Sequence, residues 1–232
     1  MNYEIGNSFK GFSQEALDFL VVNRFNNSKQ WFEENRHTYE EHLLKPMQGL
    51  VADLSGTMLS IDPSIVVIPS IGKTISRIYR DTRFSKDKSL FRDTMWITFK
   101  RPSKEWQDAP GFFFEISPGS YRYGMGFYSA SSDSMNRFRK AIDEKPDEFN
   151  DIISFYYKQN TFILEGDKYK KPLAVDKTPE ILEWYQRKNL YLVCNRQKDE
   201  HIFSRNIVKE LADGFCMLKG LYNYLFSLKI GE

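Results

Sequence analysis

A chain of 232 residues, 41% hydrophobic and 28% charged, is long enough to bury a sizeable core and too apolar to be disordered. A formal net charge of only +2 excludes a polycation that wraps nucleic acid by bulk charge. No run of about 18 apolar residues exists to span a membrane, the opening MNYEIGNSFKGF lacks the build of a signal peptide, and Cys194 and Cys216 form no CxxC pair. The expectation is a cytoplasmic chain with reduced cysteines and no membrane partner.

In chain order the elements read as helices first, strands in the middle, then helices mixed with a few strands. That segregation predicts an α+β fold, a single compact domain over 1–232 with a central antiparallel sheet. Its parts are a helical stretch 1–61, a strand-rich middle 65–128 and a mixed helical part 131–228. Residues 13–23 read as a helix behind Ser13 as N-cap, and a second helical stretch starts near Ser28. Pro46 interrupts this second pattern and should bend the helix or open a new one.

The β-branched and aromatic runs 65–69, 74–84, 94–100, 112–117 and 121–128 predict strands, with Pro118-Gly119 as a tight turn. A three- or four-stranded meander is the simplest outcome. Helices are then expected over 132–143, 146–158 and 179–187, with a short strand or loop at 162–165 and a strand at 190–194. A last helix over 204–227 carries Ile207, Leu211, Phe215, Leu218, Tyr222 and Leu225 on one face behind Ser204 as N-cap.

The chemically unusual stretch runs from Lys73 to Arg92. Seven basic residues, Lys73, Arg77, Arg80, Arg83, Lys86, Lys88 and Arg92, stand against Asp81 and Asp87. The segment thus carries +5, which leaves −3 for the rest of the chain. As a strand, residues 75–81 would place Arg77, Tyr79 and Asp81 on one face and Ile78 and Arg80 on the other, with Asp81 fixing the Arg77 guanidinium. Residues 83–89, RFSKDKS, are too polar for a buried strand and read as a loop.

Forked arginine donors and the Ser85 and Ser89 hydroxyls suit an anion such as phosphate. Arg77, Arg80, Arg83, Ser85, Lys86, Lys88 and Arg92 form the candidate ligand set. Asp81 and Asp87 are the candidate catalytic groups, for proton transfer, for orienting the basic side chains or for holding a divalent ion. The competing reading is a charged surface whose ions pair among themselves.

The run Arg77-Ile78-Tyr79-Arg80-Asp81-Thr82-Arg83-Phe84-Ser85-Lys86-Asp87-Lys88 resembles the signature of a widespread family of uncharacterised proteins, classed as a domain of unknown function. Asn27 with Trp31-Phe32, Asn35-Arg36, Tyr39-Glu40, Ala109-Pro110-Gly111-Phe112, Gly126-Phe127-Tyr128 and Arg139-Lys140-Ala141-Ile142 extend the resemblance over nearly the whole chain. Leu90 and Ala130 stand where the family pattern has proline, and Arg92 where it often has lysine. The resemblance implies one compact domain and no particular activity.

Other constellations are weaker. Gly124-Met125-Gly126 lies in a strand-like run and leaves a bare patch for a ligand, another backbone or a closely packed helix. His37 and His42 are five apart and share no metal-binding face, Glu33 and His37 read as a solvated pair, and no Cys joins the three histidines, His201 included, at a zinc-ligand spacing. Asp81, Asp87 and Lys88 match the carboxylate and lysine set of a metal-dependent nuclease only loosely, so no metal site is expected. Ser85 has Lys86 beside it and no nucleophile elbow around it.

Three functions remain open on the sequence: action on, or binding of, a small anionic ligand, a nucleic-acid-binding module, and a non-catalytic structural or protein-interaction domain. Whether the chain is an enzyme, its cofactor and its oligomeric state are not legible.

Overall fold

The structure, a computed structural model, describes residues 9–102, 108–174 and 176–230. The first eight residues, part of the stretch compared with a signal peptide, lie outside them. Hydroxyl caps start the first helices. Ser13 Oγ accepts the Ala16 amide at 3.3 Å and opens α1 (Gln14–Asn26). Ser28 Oγ accepts the Trp31 amide at 3.3 Å and opens α2 (Lys29–Glu34).

Asn27 takes the turn between them at φ 48°, a left-handed conformation that asparagine tolerates. A short α3 (Arg36–Thr38) leads through a π-helical stretch (Tyr39–Leu44) into α4 (Lys45–Ile61). Pro46 lies in the first turn of α4, where the π-helical stretch passes into the α-helix, so the helical form changes at the proline.

The sheet has five antiparallel strands, β1 (Met95–Phe99), β2 (Pro110–Ser117), β3 (Ser120–Phe127), β4 (Ile163–Glu165) and β5 (Tyr191–Gln197), in the order β1-β2-β3-β5-β4. The first three form the expected meander, and β5 enters between β3 and β4. Buried residues alternate along β1 and β2, as a half-covered pleat requires. Between and after the strands lie α5 (Ser132–Glu144), α6 (Pro146–Ile153), α7 (Pro179–Tyr185) and α8 (Asn206–Ile230). The α+β expectation, with helices before and after an antiparallel sheet, holds.

Four expectations about the elements fail. Residues 65–69 pair with no strand. Pro69 has no donor, and side chains serve the local carbonyls: Thr74 Oγ1 donates to Ile68 O at 2.5 Å and Gln48 Nε2 to Pro69 O at 3.3 Å. Residues 74–84 make only isolated bridges, Ile75 with Ile71 and with Ile97, and Tyr79 with Phe91. Residues 76–78 separate the bridges on one side and 92–96 on the other, so the longer side bulges and the ladder breaks. The helix expected over 146–158 stops at Ile153 and resumes as a 3₁₀ turn, Tyr156–Lys158. Ser204 lies two residues before α8, its hydroxyl accepting the Asn206 amide at 3.3 Å.

The chain divides into two compact units. The first holds Met1–Phe99, Phe113–Tyr123 and Asn195–Asp213. Its core includes Met47, Leu50, Val51, Leu54 and Met58 of α4, spaced mostly by three or four residues, and an aromatic cluster of Phe19, Phe32, Tyr39, Tyr79 and Phe91.

The second holds Lys100–Phe112, Gly124–Cys194 and Gly214–Glu232, with Phe149 meeting Phe138, Trp184 and Tyr224. In this unit β5 approaches the glycines of β3. A Cβ on Gly124 would lie 1.9 Å from Leu192 O, and one on Gly126 2.4 Å from Tyr191 Cα. The bare patch therefore accommodates another backbone. Gly124→Ala should lower stability by about 1–3 kcal/mol through overpacking. Gly119→Ala, whose Cβ would meet nothing within 4 Å, serves as the neutral comparison in thermal melts.

Candidate functional site

The basic segment belongs to the first unit and is built as an irregular ribbon closed by a loop. Arg92 N donates to Ile78 O at 2.9 Å and Arg80 N to Leu90 O at 2.8 Å, so residues 81–89 form the loop between paired ends. The ribbon's base is fixed by packing: the Tyr79 ring lies 4.8 Å from Phe91 and 5.6 Å from Phe32. Aromatic pairs of this kind add about 0.5–1.5 kcal/mol beyond the area they bury.

The loop is then tied to the end of α1. Arg24 Nη1 donates to Phe91 O at 2.8 Å, and Asn27 Oδ1 accepts the Leu90 amide at 2.6 Å. Arg24 Nη2 reaches Asp87 Oδ2 at 2.6 Å, and Arg80 Nη1 bonds to the same oxygen. The other oxygen of Asp87 takes the Ser89 amide at 2.9 Å and the Ser89 hydroxyl. One carboxylate thus holds two guanidinium groups and the far end of the loop. Arg80 Nη2 also donates to Ser85 Oγ at 3.3 Å.

Asp81 does not brace Arg77 as strand alternation predicted. The ribbon ends at Arg80, and Asp81 turns onto Arg83, accepting its amide at 3.2 Å, its Nε at 3.0 Å and its Nη2 at 2.7 Å. Lys88 Nζ donates to Thr82 O at 2.8 Å, and the Arg92 guanidinium stacks 4.5 Å from the centre of the Trp96 ring. Arg77 and Lys86 are exposed and make no ion pair among the described residues.

Hydrogen bonds from Arg83 hold the Asp81 carboxyl down at about 2. The Ser89 hydroxyl and amide, then Arg24 and Arg80, hold Asp87 well below the usual carboxylate range. Both acids are ionised at neutral pH. Arg83 neutralises Asp81, whereas Arg24 and Arg80 share Asp87, and Arg77 and Lys86 meet no acid among the described residues, so these pairs leave the segment net positive.

Sequence spacing does not reveal the clamp's two long-range members. Arg24 and Asn27 each lie 63 residues from their partners, and no spacing rule connects them. Glu33 is taken by Arg36 at 2.6 Å, not by His37. Two buried arginines of the second unit were also missed. Arg139 donates to Tyr185 O at 3.0 Å and Arg187 O at 2.6 Å. Arg187 donates to Gly166 O at 2.6 Å and Leu164 O at 3.0 Å and pairs with Glu183. Arg187 lines a cleft of about 480 Å³ together with Glu165, Asp167, Asn189 and Tyr191.

Fold and clamp define an α+β protein with an ion-paired basic loop. The chain belongs to the family described as conserved hypothetical protein (DUF2461), whose model matches residues 15–224 and so contains the whole basic segment. No curated protein matches the chain. Among the described residues no helix is long and apolar enough to cross a membrane.

A carboxyl held below its unfolded pKa stabilises the fold above that unfolded value, about 3.9. This contribution is lost as pH falls through the folded pKa, about 2 for Asp81 and lower still for Asp87. Melts of wild type and Asp87→Asn should therefore differ most above about pH 4. The two curves should converge as pH falls below that.

Proposed function

We propose that residues 73–92 bind a small phosphate-bearing anion. The observation that supports this most directly is the Asp87 carboxylate shared by Arg24 and Arg80, which fixes a polar loop while leaving it net positive. A loop already ordered does not have to be ordered by its ligand, so more of each contact appears as affinity.

Arg77 and Lys86 supply the uncommitted charges. Lys88, Arg92, Arg80 and Arg83 belong to the same segment in this reading, with Ser85 offering a hydroxyl. Asp81 and Asp87 orient guanidinium groups in this reading, and their ionised state unsuits them as proton donors at neutral pH. Duplex binding is disfavoured by the small net charge.

The same ion pairs favour a second reading, a brace that only stiffens the fold. Thermal shift separates the two. Under the binding reading, inorganic phosphate or pyrophosphate at low salt raises the melting temperature of the wild type, by about 2.7 kcal/mol of stability at one hundred times Kd. Arg77→Ala with Lys86→Ala should leave the ligand-free melt unchanged and weaken pyrophosphate roughly tenfold or more, through loss of charge-assisted contacts. A wild-type melt indifferent to tens of millimolar phosphate and pyrophosphate would leave the brace alone standing.

A further inference from the structure

We infer that the anion bound at this segment carries a nucleobase, which stacks on the exposed ring of Phe84. The inference rests on the anion-binding reading of residues 73–92 and names the chemical class of the ligand.

Phe84 is 95% exposed, although it stands in a loop held at both ends. The segment's other rings are used by the core: Phe91 is fully buried, and Tyr79 packs on Phe91 and Phe32. Phe84 packs in no aromatic pair among the described residues. The cation near its ring is the Arg83 guanidinium, 5.8 Å from the ring centre and itself fixed by Asp81.

An apolar ring kept in water by an ordered backbone loses the burial that its neighbours gain. The occupant that would cover it must also suit its surroundings. Arg83 precedes the ring in sequence, and Ser85, Lys86 and Lys88 follow it. A greasy protein pocket would strip water from those cations and leave them unpaired. A nucleotide presents a flat π face to the ring and phosphate oxygens to the cations, so both features are satisfied by one molecule.

The unpaired base comes from a free nucleotide or from a single strand. A second ring, Phe25 at 88% exposed, adjoins Arg24, the α1 residue that clamps the loop. A single strand would have a further platform there.

Titration calorimetry of the full chain at low salt, with pyrophosphate, ADP and a six-residue oligothymidylate as probes, tests the inference. ADP or the oligomer should bind at least tenfold more tightly than pyrophosphate. Phe84→Ala should erase that preference and keep pyrophosphate affinity within twofold, and Phe84→Trp should restore it. A free-nucleotide site prefers ADP to the oligomer. A strand site prefers the oligomer, which then weakens with salt and with Phe25→Ala.

Equal affinity for all three probes, or a preference that survives Phe84→Ala, overturns the nucleobase and leaves anion binding intact. Binding to phosphatidylserine vesicles that depends on Phe84, without any nucleotide preference, overturns it as well. Failure of every probe to bind removes both readings.

Discussion

The carboxylate of Asp87 is the joint on which the basic segment turns. It joins the last turn of α1, the end of the ribbon and the far side of the loop, because Arg24, Arg80 and Ser89 all bond to it. The loop contributes nothing apolar to the core between Asp81 and Ser89, so burial cannot order it. Charge-assisted bonds must do so, and their strength depends on keeping the acid ionised. The low pKa of Asp87 follows from the same donors that hold the loop, so the loop and the charge state support each other.

Beneath the clamp, packing takes over from charge. Phe32 of α2 meets Tyr79 and Phe91 from the two sides of the ribbon, at 5.6 and 5.2 Å. Rings at this spacing tolerate few rearrangements, because filled interiors resist shifts of even a methylene. The ribbon can therefore be irregular in its hydrogen bonding and still be positioned. Its bulge at 92–96 disturbs the ladder, whereas the bridges at Ile75 and Tyr79 keep both ends in register.

Periodicity made much of the fold legible. The alternation in β1 and β2 and the three-and-four spacing in α8 are set by local geometry, so composition and spacing reveal them. The runs 65–69 and 74–84 share that β-rich composition and still form no strand. Proline at 69 and two extra residues opposite 76–78 decide their pairing, and the second cause lies on a different stretch of chain. The site divides in the same way. Asp81 and Asp87 could be found from sequence because they sit among the arginines they orient. Arg24 could not, since its only link to the segment is spatial. The choice of Arg83 over Arg77 as Asp81's partner depended on where the ribbon ends, and alternation assumes that it continues.

A cluster of ions that pair with one another is usually taken as a reason to expect no site. Here the pairing is unequal. Asp81 meets one arginine, Asp87 meets two, and Arg77 and Lys86 meet no acid among the described residues. Each acid removes the freedom of a guanidinium without removing the segment's positive potential. A flexible array of seven cations would have to be gathered against its own repulsion when an anion arrived. In this segment the carboxylates have already done much of that gathering, and Arg77 and Lys86, which meet no acid among the described residues, are exposed.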